Sequence, residues 1–177
     1  MQTAFDWSDE HLHRFVIQGR YYGAGGRADP SRARLGDFGL RLGERWLYEY
    51  DFTDGWQHDI RLEQVVPLVP GQTYPRCIGG QRAAPPEDCG GPWAFLELRQ
   101  HYSPGHIARR ILDIFESLTG DPRRDQELVD ELDADDHDSH AQELEELVRW
   151  LRIDRFDRRA VNRQLAQLAR NTARAAA

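Results

Sequence analysis

The sequence predicts an α+β fold, an antiparallel sheet with an aromatic hairpin followed by a helical C-terminal half. Two observations carry that prediction. Trp46, Tyr48, Tyr50 and Phe52 alternate into a Thr53-Asp54-Gly55 turn, and a second alternating stretch runs from Trp56 to Gln64. From Gly91 onward the apolar spacing changes from period two to near 3.6. Strands precede helices rather than alternating with them, which argues against a parallel βαβ sheet.

Taken in order, His13 to Ile17 reads as a first strand and Arg20 to Tyr22 as a short second one. Gly23 to Arg34 is rich in Gly, Asp, Pro and Ser and reads as a loop. The hairpin strands are Arg45–Phe52 and Trp56–Gln64, the second with Trp56, His58, Ile60 and Leu62 on one face and Gln57, Asp59, Arg61 and Glu63 on the other. Pro67 to Pro92 holds six of the nine prolines and reads as a long ordered loop. Gly91-Pro92 and Ser103-Pro104 each look like a helix start, since proline in the first turn gives up no hydrogen bond. Ile107, Ile111, Ile114, Phe115 and Leu118 share one helical face, and Gly120 stops that helix. Residues 121–138 are mostly acidic, with one short helix around Leu128, Val129 and Leu132. Ser139 and Gln142 are spaced as a capping box before Leu144, Leu147, Val148 and Leu151. Asp157 caps a last helix bearing Val161, Leu165 and Leu168, expected to fray from Arg170. The expected domain plan is an α+β core over 1–102 with a helical extension over 103–177, packed together as one domain.

Charge is unevenly spread along the 177 residues. The net charge is -7, and all 23 basic residues are arginine. Residues 121–147 carry 2 Arg against 12 acids, whereas 148–177 carry 8 Arg against 2 acids. No run approaches the roughly 18 apolar residues of a membrane span. Met1 to Glu10 has no apolar segment of a secretion signal, so a cytoplasmic protein with free Cys77 and Cys89 thiols is expected. A phosphate-binding G-x-x-x-x-G-K loop is excluded by the absence of lysine, and neither G-x-S-x-G nor H-E-x-x-H occurs.

Polar residues gather in three places. His11 and His13, two apart, would share a face of a strand, one way to begin a metal site. Asp51, Asp54, His58 and Asp59 surround the hairpin turn, where a carboxylate beside an imidazole suits acid–base work and an Asp before Gly55 suits turn chemistry. Cys77-Ile78-Gly79-Gly80 and Pro85-Pro86-Glu87-Asp88-Cys89-Gly90-Gly91 offer thiols and carboxylates just ahead of a helix N-terminus. A thiolate activated by that terminus is opposed by Glu87 and Asp88, which raise a thiol's pKa. The preferred reading of all three is an ordered scaffold.

Those residues carry a resemblance. Phe5-Asp6-Trp7-Ser8-Asp9-Glu10-His11-Leu12-His13-Arg14-Phe15, Tyr48-Glu49-Tyr50-Asp51-Phe52-Thr53-Asp54-Gly55-Trp56-Gln57-His58 and Pro85 to Gly91 resemble the plasmid pRiA-type Orf-three-like family, whose members are also called TnpR-like insertion-element passenger proteins. Arg155-Phe156-Asp157 and Val161-Asn162-Arg163 are similar to that family too. The likeness spans roughly 4–102 and 138–168. Thr53 stands where the family usually has Gly, Ala84 where many members have Cys, and the acidic stretch near 105–138 looks inserted. The family normally has a strand–helix unit ahead of Trp7, and Met1 falls almost inside that motif. The resemblance implies an α+β domain associated with mobile elements and no catalytic residue.

The expected function is therefore a non-enzymatic binding or accessory protein without a cofactor. Its expected surface is the hairpin turn and the Pro85–Gly91 loop, with Asp51, Asp54, His58, Glu87 and Asp88 at the site and Trp56 as anchor toward a protein partner. One alternative is a metal- or thiol-dependent enzyme using His11, His13, His58, Cys77 and Cys89. The other is DNA binding through the arginine-rich C-terminal helix.

Overall fold

The computed structural model describes residues 1–26, 32–119 and 134–175. The expected helix stop at Gly120 and the short helix around Leu128 lie outside the described residues. The chain divides into two compact units, one of Met1–Gly79, Pro85–Phe95 and Arg158–Ala177, the other of Gly80–Ala84 and Leu96–Asp157.

The first unit contains a short helix α1 (Gln2–Phe5), strands β1 (His13–Ile17), β2 (Arg20–Gly23), β3 (Arg45–Tyr50) and β4 (Trp56–Arg61), and a last helix Arg158–Ala175. The strands form one antiparallel sheet in the order β2-β1-β3-β4. Trp46 faces Ile60, Tyr48 faces His58 and Tyr50 faces Trp56 across the hairpin, while His13 and Phe15 face Tyr50 and Tyr48 from β1. Alternation thus puts the aromatics on one face, where Trp46, Tyr48 and Tyr50 are buried. Trp7, from the segment ahead of β1, stacks on Tyr50 at 5.0 Å and completes an aromatic core with Tyr48 and Trp56. On the opposite face Arg14 pairs with Glu49, and Arg45 with Asp59.

The period-two pattern predicts Phe52 on the aromatic face, and the structure places it elsewhere. Asp51 takes a left-handed backbone (φ 49), which ends β3 and breaks the alternation. Phe52 instead lies 45 % exposed, its ring 4.9 Å from the Arg14 guanidinium on the outer face.

The second unit is helical. Helix α2 (Gly91–His101) gives its first turn to the sheet unit and its remainder here, followed by α3 (Pro104–Thr119) and α4 (Ala134–Leu151). Both proline-marked helix starts are therefore where the sequence puts them. Ile107, Ile114, Leu147, Trp150 and Ile153 are buried, and Tyr102 stacks on Trp150 at 5.0 Å. Arg110 pairs with Glu143 at 2.7 Å, tying α3 to α4. One expectation fails here. Ser139 lies inside α4, which begins at Ala134, so it caps nothing. Ile111 and Phe115, on the same α3 stripe as the buried Ile107 and Ile114, are exposed. The final helix, α5 (Arg158–Ala175), starts directly after Asp157 and continues past Arg170.

Candidate functional site

At one end of the sheet the hairpin turn meets the Pro85–Gly91 loop. Asp51 is 5 % exposed, and its Oδ1 accepts the backbone N–H groups of Thr53 (3.0 Å) and Asp54 (3.3 Å). That Asx-type turn explains why an aspartate occupies this left-handed position. Asp54 in turn accepts the Gly90 N–H at 3.1 Å. Gly91 follows with φ +83, and a Cβ there would overlap the Asp54 carbonyl oxygen. Only glycine allows this approach of the loop to the turn.

The loop is held from its other side as well. Trp7 Nε1 donates to the Pro85 carbonyl at 3.0 Å, the Ser8 N–H donates to Glu87 Oε2 at 2.7 Å, and the Tyr50 hydroxyl donates to Glu87 Oε1. Burial alone would raise the Glu87 pKa, but these donors outweigh it and hold the carboxyl below its ordinary value. Burial, reinforced by the bond to Glu87, pushes the Tyr50 hydroxyl up to about 12. Both Glu87 oxygens are thus committed to holding the Pro85–Gly91 loop.

His11 lies ahead of β1, so it does not share a strand face with His13. Its ring sits between two carboxylates, with Nε2 2.7 Å from Asp88 Oδ1 and Nδ1 3.7 Å from Asp51 Oδ2, and it meets the Tyr50 ring edge-on. One ligand atom from each of His11, Asp51 and Asp88 lies within 4.8 Å of the others. Among the described residues His13, His58, Cys77 and Cys89 join no such group. His13 instead faces Asp9 at 3.4 Å. His58 packs among Phe5, Trp7 and Tyr48, and burial holds its pKa below the ordinary value. Burial raises the Cys89 thiol, with Asp54 and Asp88 adding to the rise, which opposes thiolate chemistry. Trp56 is 8 % exposed and belongs to the core, so the hairpin presents Phe52 and not Trp56 to solvent.

A second polar region lies on α5. Asn162 bridges to the segment before the loop, accepting the Cys77 N–H through Oδ1 at 2.9 Å and donating to the Cys77 carbonyl through Nδ2 at 2.9 Å. That pair of hydrogen bonds holds the segment bearing Arg76 beside the helix. Arg76, Arg158, Arg159, Arg163 and Arg170, with Asn162, then line an open hollow of about 680 Å³. The helix positions 159, 163, 166 and 170 follow the 3.6-residue period, so α5 turns one face toward the hollow. Arg76 donates to Gln72 (3.1 Å), Arg158 to the Ile78 carbonyl (3.2 Å) and Arg170 to Gln167 (2.7 Å), all neutral oxygens. Among the described residues none of Arg76, Arg158, Arg163 and Arg170 has a carboxylate partner.

Residues 1–111 match the family described as plasmid pRiA4b ORF-3-like protein. The chain belongs to that family. It is 33% identical over 105 residues to the uncharacterized protein y4hQ of Sinorhizobium fredii (strain NBRC 101917 / NGR234), a match covering 55% of this chain and 54% of the relative. The chain thus spans about half the length of that curated relative. The crystal structure of a protein of unknown function, MM3350 from Methanosarcina mazei Go1, is similar with a TM-score of 0.53 and 36% identity, covering 68% of this chain and 73% of that one. The family match contains the junction with His11, Asp51, Glu87 and Asp88, whereas α5 lies beyond it. No helix among the described residues is long and apolar enough to cross a membrane.

Sequence reading missed two partnerships. Asp51 and Asp88 appear in it among the binding residues and His11 among the metal candidates, yet the fold brings the three together. Arg76 lies 82 positions before Arg158, and the bonds of Asn162 to Cys77 and of Arg158 to Ile78 bring the two together. The run Val161-Asn162-Arg163 is the one signal that points there.

Proposed function

We propose that the chain is a non-enzymatic accessory domain that binds DNA through the arginine face of α5. The carrying observation is the array of Arg76, Arg158, Arg163 and Arg170 around one hollow without a carboxylate partner among the described residues. Like charges held together repel, and an array fixed by the Asn162 clamp favours an anion that spans several guanidinium groups. A DNA backbone supplies one negative charge per about 1.7 Å of helix axis, and guanidinium forks match phosphate oxygens. No acidic residue interrupts α5 between Arg158 and Ala175. This reading supports a cytoplasmic role linked to mobile DNA, which the TnpR-like resemblance suggests.

The test is duplex binding by the full chain across a salt series. Four phosphate contacts predict a slope of about -3.6 in log affinity against log salt. Replacing Arg163 and Arg170 by Gln should reduce that slope by about 2 while leaving the fold intact. A salt-independent affinity, or wild-type binding by the double variant, would remove this function.

A further inference from the structure

We infer that His11, Asp51 and Asp88 form a binding site for a transition-metal dication of the zinc and manganese class, each residue supplying one ligand atom. The Asp51 carboxylate is buried, and its two oxygens differ. Oδ1 accepts the N–H groups of Thr53 and Asp54, whereas Oδ2 faces the His11 imidazole at 3.7 Å, beyond hydrogen-bond distance. Burying a carboxylate is costly unless positive charge lies beside it. On the other side of the ring Asp88 Oδ1 stands 2.7 Å from Nε2. One ligand atom from each of the three residues lies within 4.8 Å of the others, and a dication among them supplies that positive charge.

The three ligands also sit on fixed supports. Asp51 and Asp88 both take left-handed backbone, with φ 49 and φ 60. The turn bonds of Asp51 and the Gly90–Asp54 bond hold the two loops together. Glu87, committed to Tyr50 and Ser8, keeps Asp88 next to His11. One nitrogen and two carboxylate oxygens favour zinc or manganese over calcium, which takes six to eight oxygens. Three protein ligands leave positions for water.

Isothermal titration of the untagged, chelator-stripped full chain with zinc chloride and with manganese chloride tests the site. One equivalent of metal is expected to bind and to raise the melting temperature. Asp88→Asn keeps a residue tolerant of left-handed backbone and should weaken binding more than about tenfold. His11→Gln should do the same, with the circular dichroism spectrum of each variant checking the fold. Cys77→Ser with Cys89→Ser should bind as the wild type does. No uptake by the wild type, unchanged uptake by folded Asp88→Asn and His11→Gln, or loss of uptake in the cysteine double variant would each overturn the site. DNA affinity of the Asp88→Asn variant, read in parallel, separates this inference from the arginine-face reading.

Discussion

The loop junction and the arginine face use polar side chains in opposite ways. At the junction most polar atoms are satisfied by partners within the chain: Glu87 by Tyr50 and Ser8, Asp54 by Gly90, and Asp51 Oδ1 by its own turn. On and beside α5 the charges are concentrated, and among the described residues Arg76, Arg158, Arg163 and Arg170 meet only neutral oxygens or none. A polar group that ends on a protein partner builds the fold, and one left with charge unneutralised offers itself to a ligand. Asp51 Oδ2 faces the His11 imidazole, and it is one ligand atom of the proposed metal site.

The largest expected effect falls on the junction. Gly91→Val would force a side chain into the Asp54 carbonyl at a left-handed position. It should destabilise the protein by about 4 kcal/mol or more in urea unfolding. A loss below about 1 kcal/mol would break the comparison, because the turn and loop would then tolerate separation.

Asn162→Ala sharpens it from the other side. Asn162 on the arginine face works as junction residues do, through two bonds to the Cys77 backbone. Its removal should cost about 2 kcal/mol and also lower DNA affinity, although no charge is lost. Affinity unchanged in a folded variant would show that Arg76 needs no clamp.

The smallest effect is a difference in pH response. Burial depresses the His58 pKa from its ordinary 6.5, so the unfolded chain takes up a proton first as pH falls. The stability contribution is complete above 6.5 and declines below it. Glu87, depressed from 4.5, adds a second loss once pH falls below that value toward its folded pKa. Thermal melts from pH 7.5 to 5 should show falling stability, and His58→Gln should flatten the curve in that range. DNA affinity of the folded protein should stay level from pH 8 to 6.5, since guanidinium groups do not titrate there. A melting temperature independent of pH would remove His58 as a titrating core group.

Much of the frame was legible in the chain. Alternation in Arg45–Tyr50 and Trp56–Arg61 specified the hairpin because side chains on a strand alternate faces whatever surrounds them. Gly91-Pro92 and Ser103-Pro104 marked helix starts for an equally local reason, the missing proline N–H. Phe52 and Ser139 show the limit of local rules. One left-handed residue, Asp51, reversed the first, and a helix beginning earlier absorbed the second.

The sequence by itself determined the α+β order, the aromatic strand face, the helix starts and the basic C-terminal segment, since each depends on neighbours a few positions apart. Only the tertiary structure decided that His11 meets Asp51 and Asp88, that Trp56 is buried, and that Asn162 carries Arg76 to α5. Those outcomes depend on contacts between residues 37 to 85 positions apart. Spacing along a chain sets no distance in space until the backbone between two residues has folded.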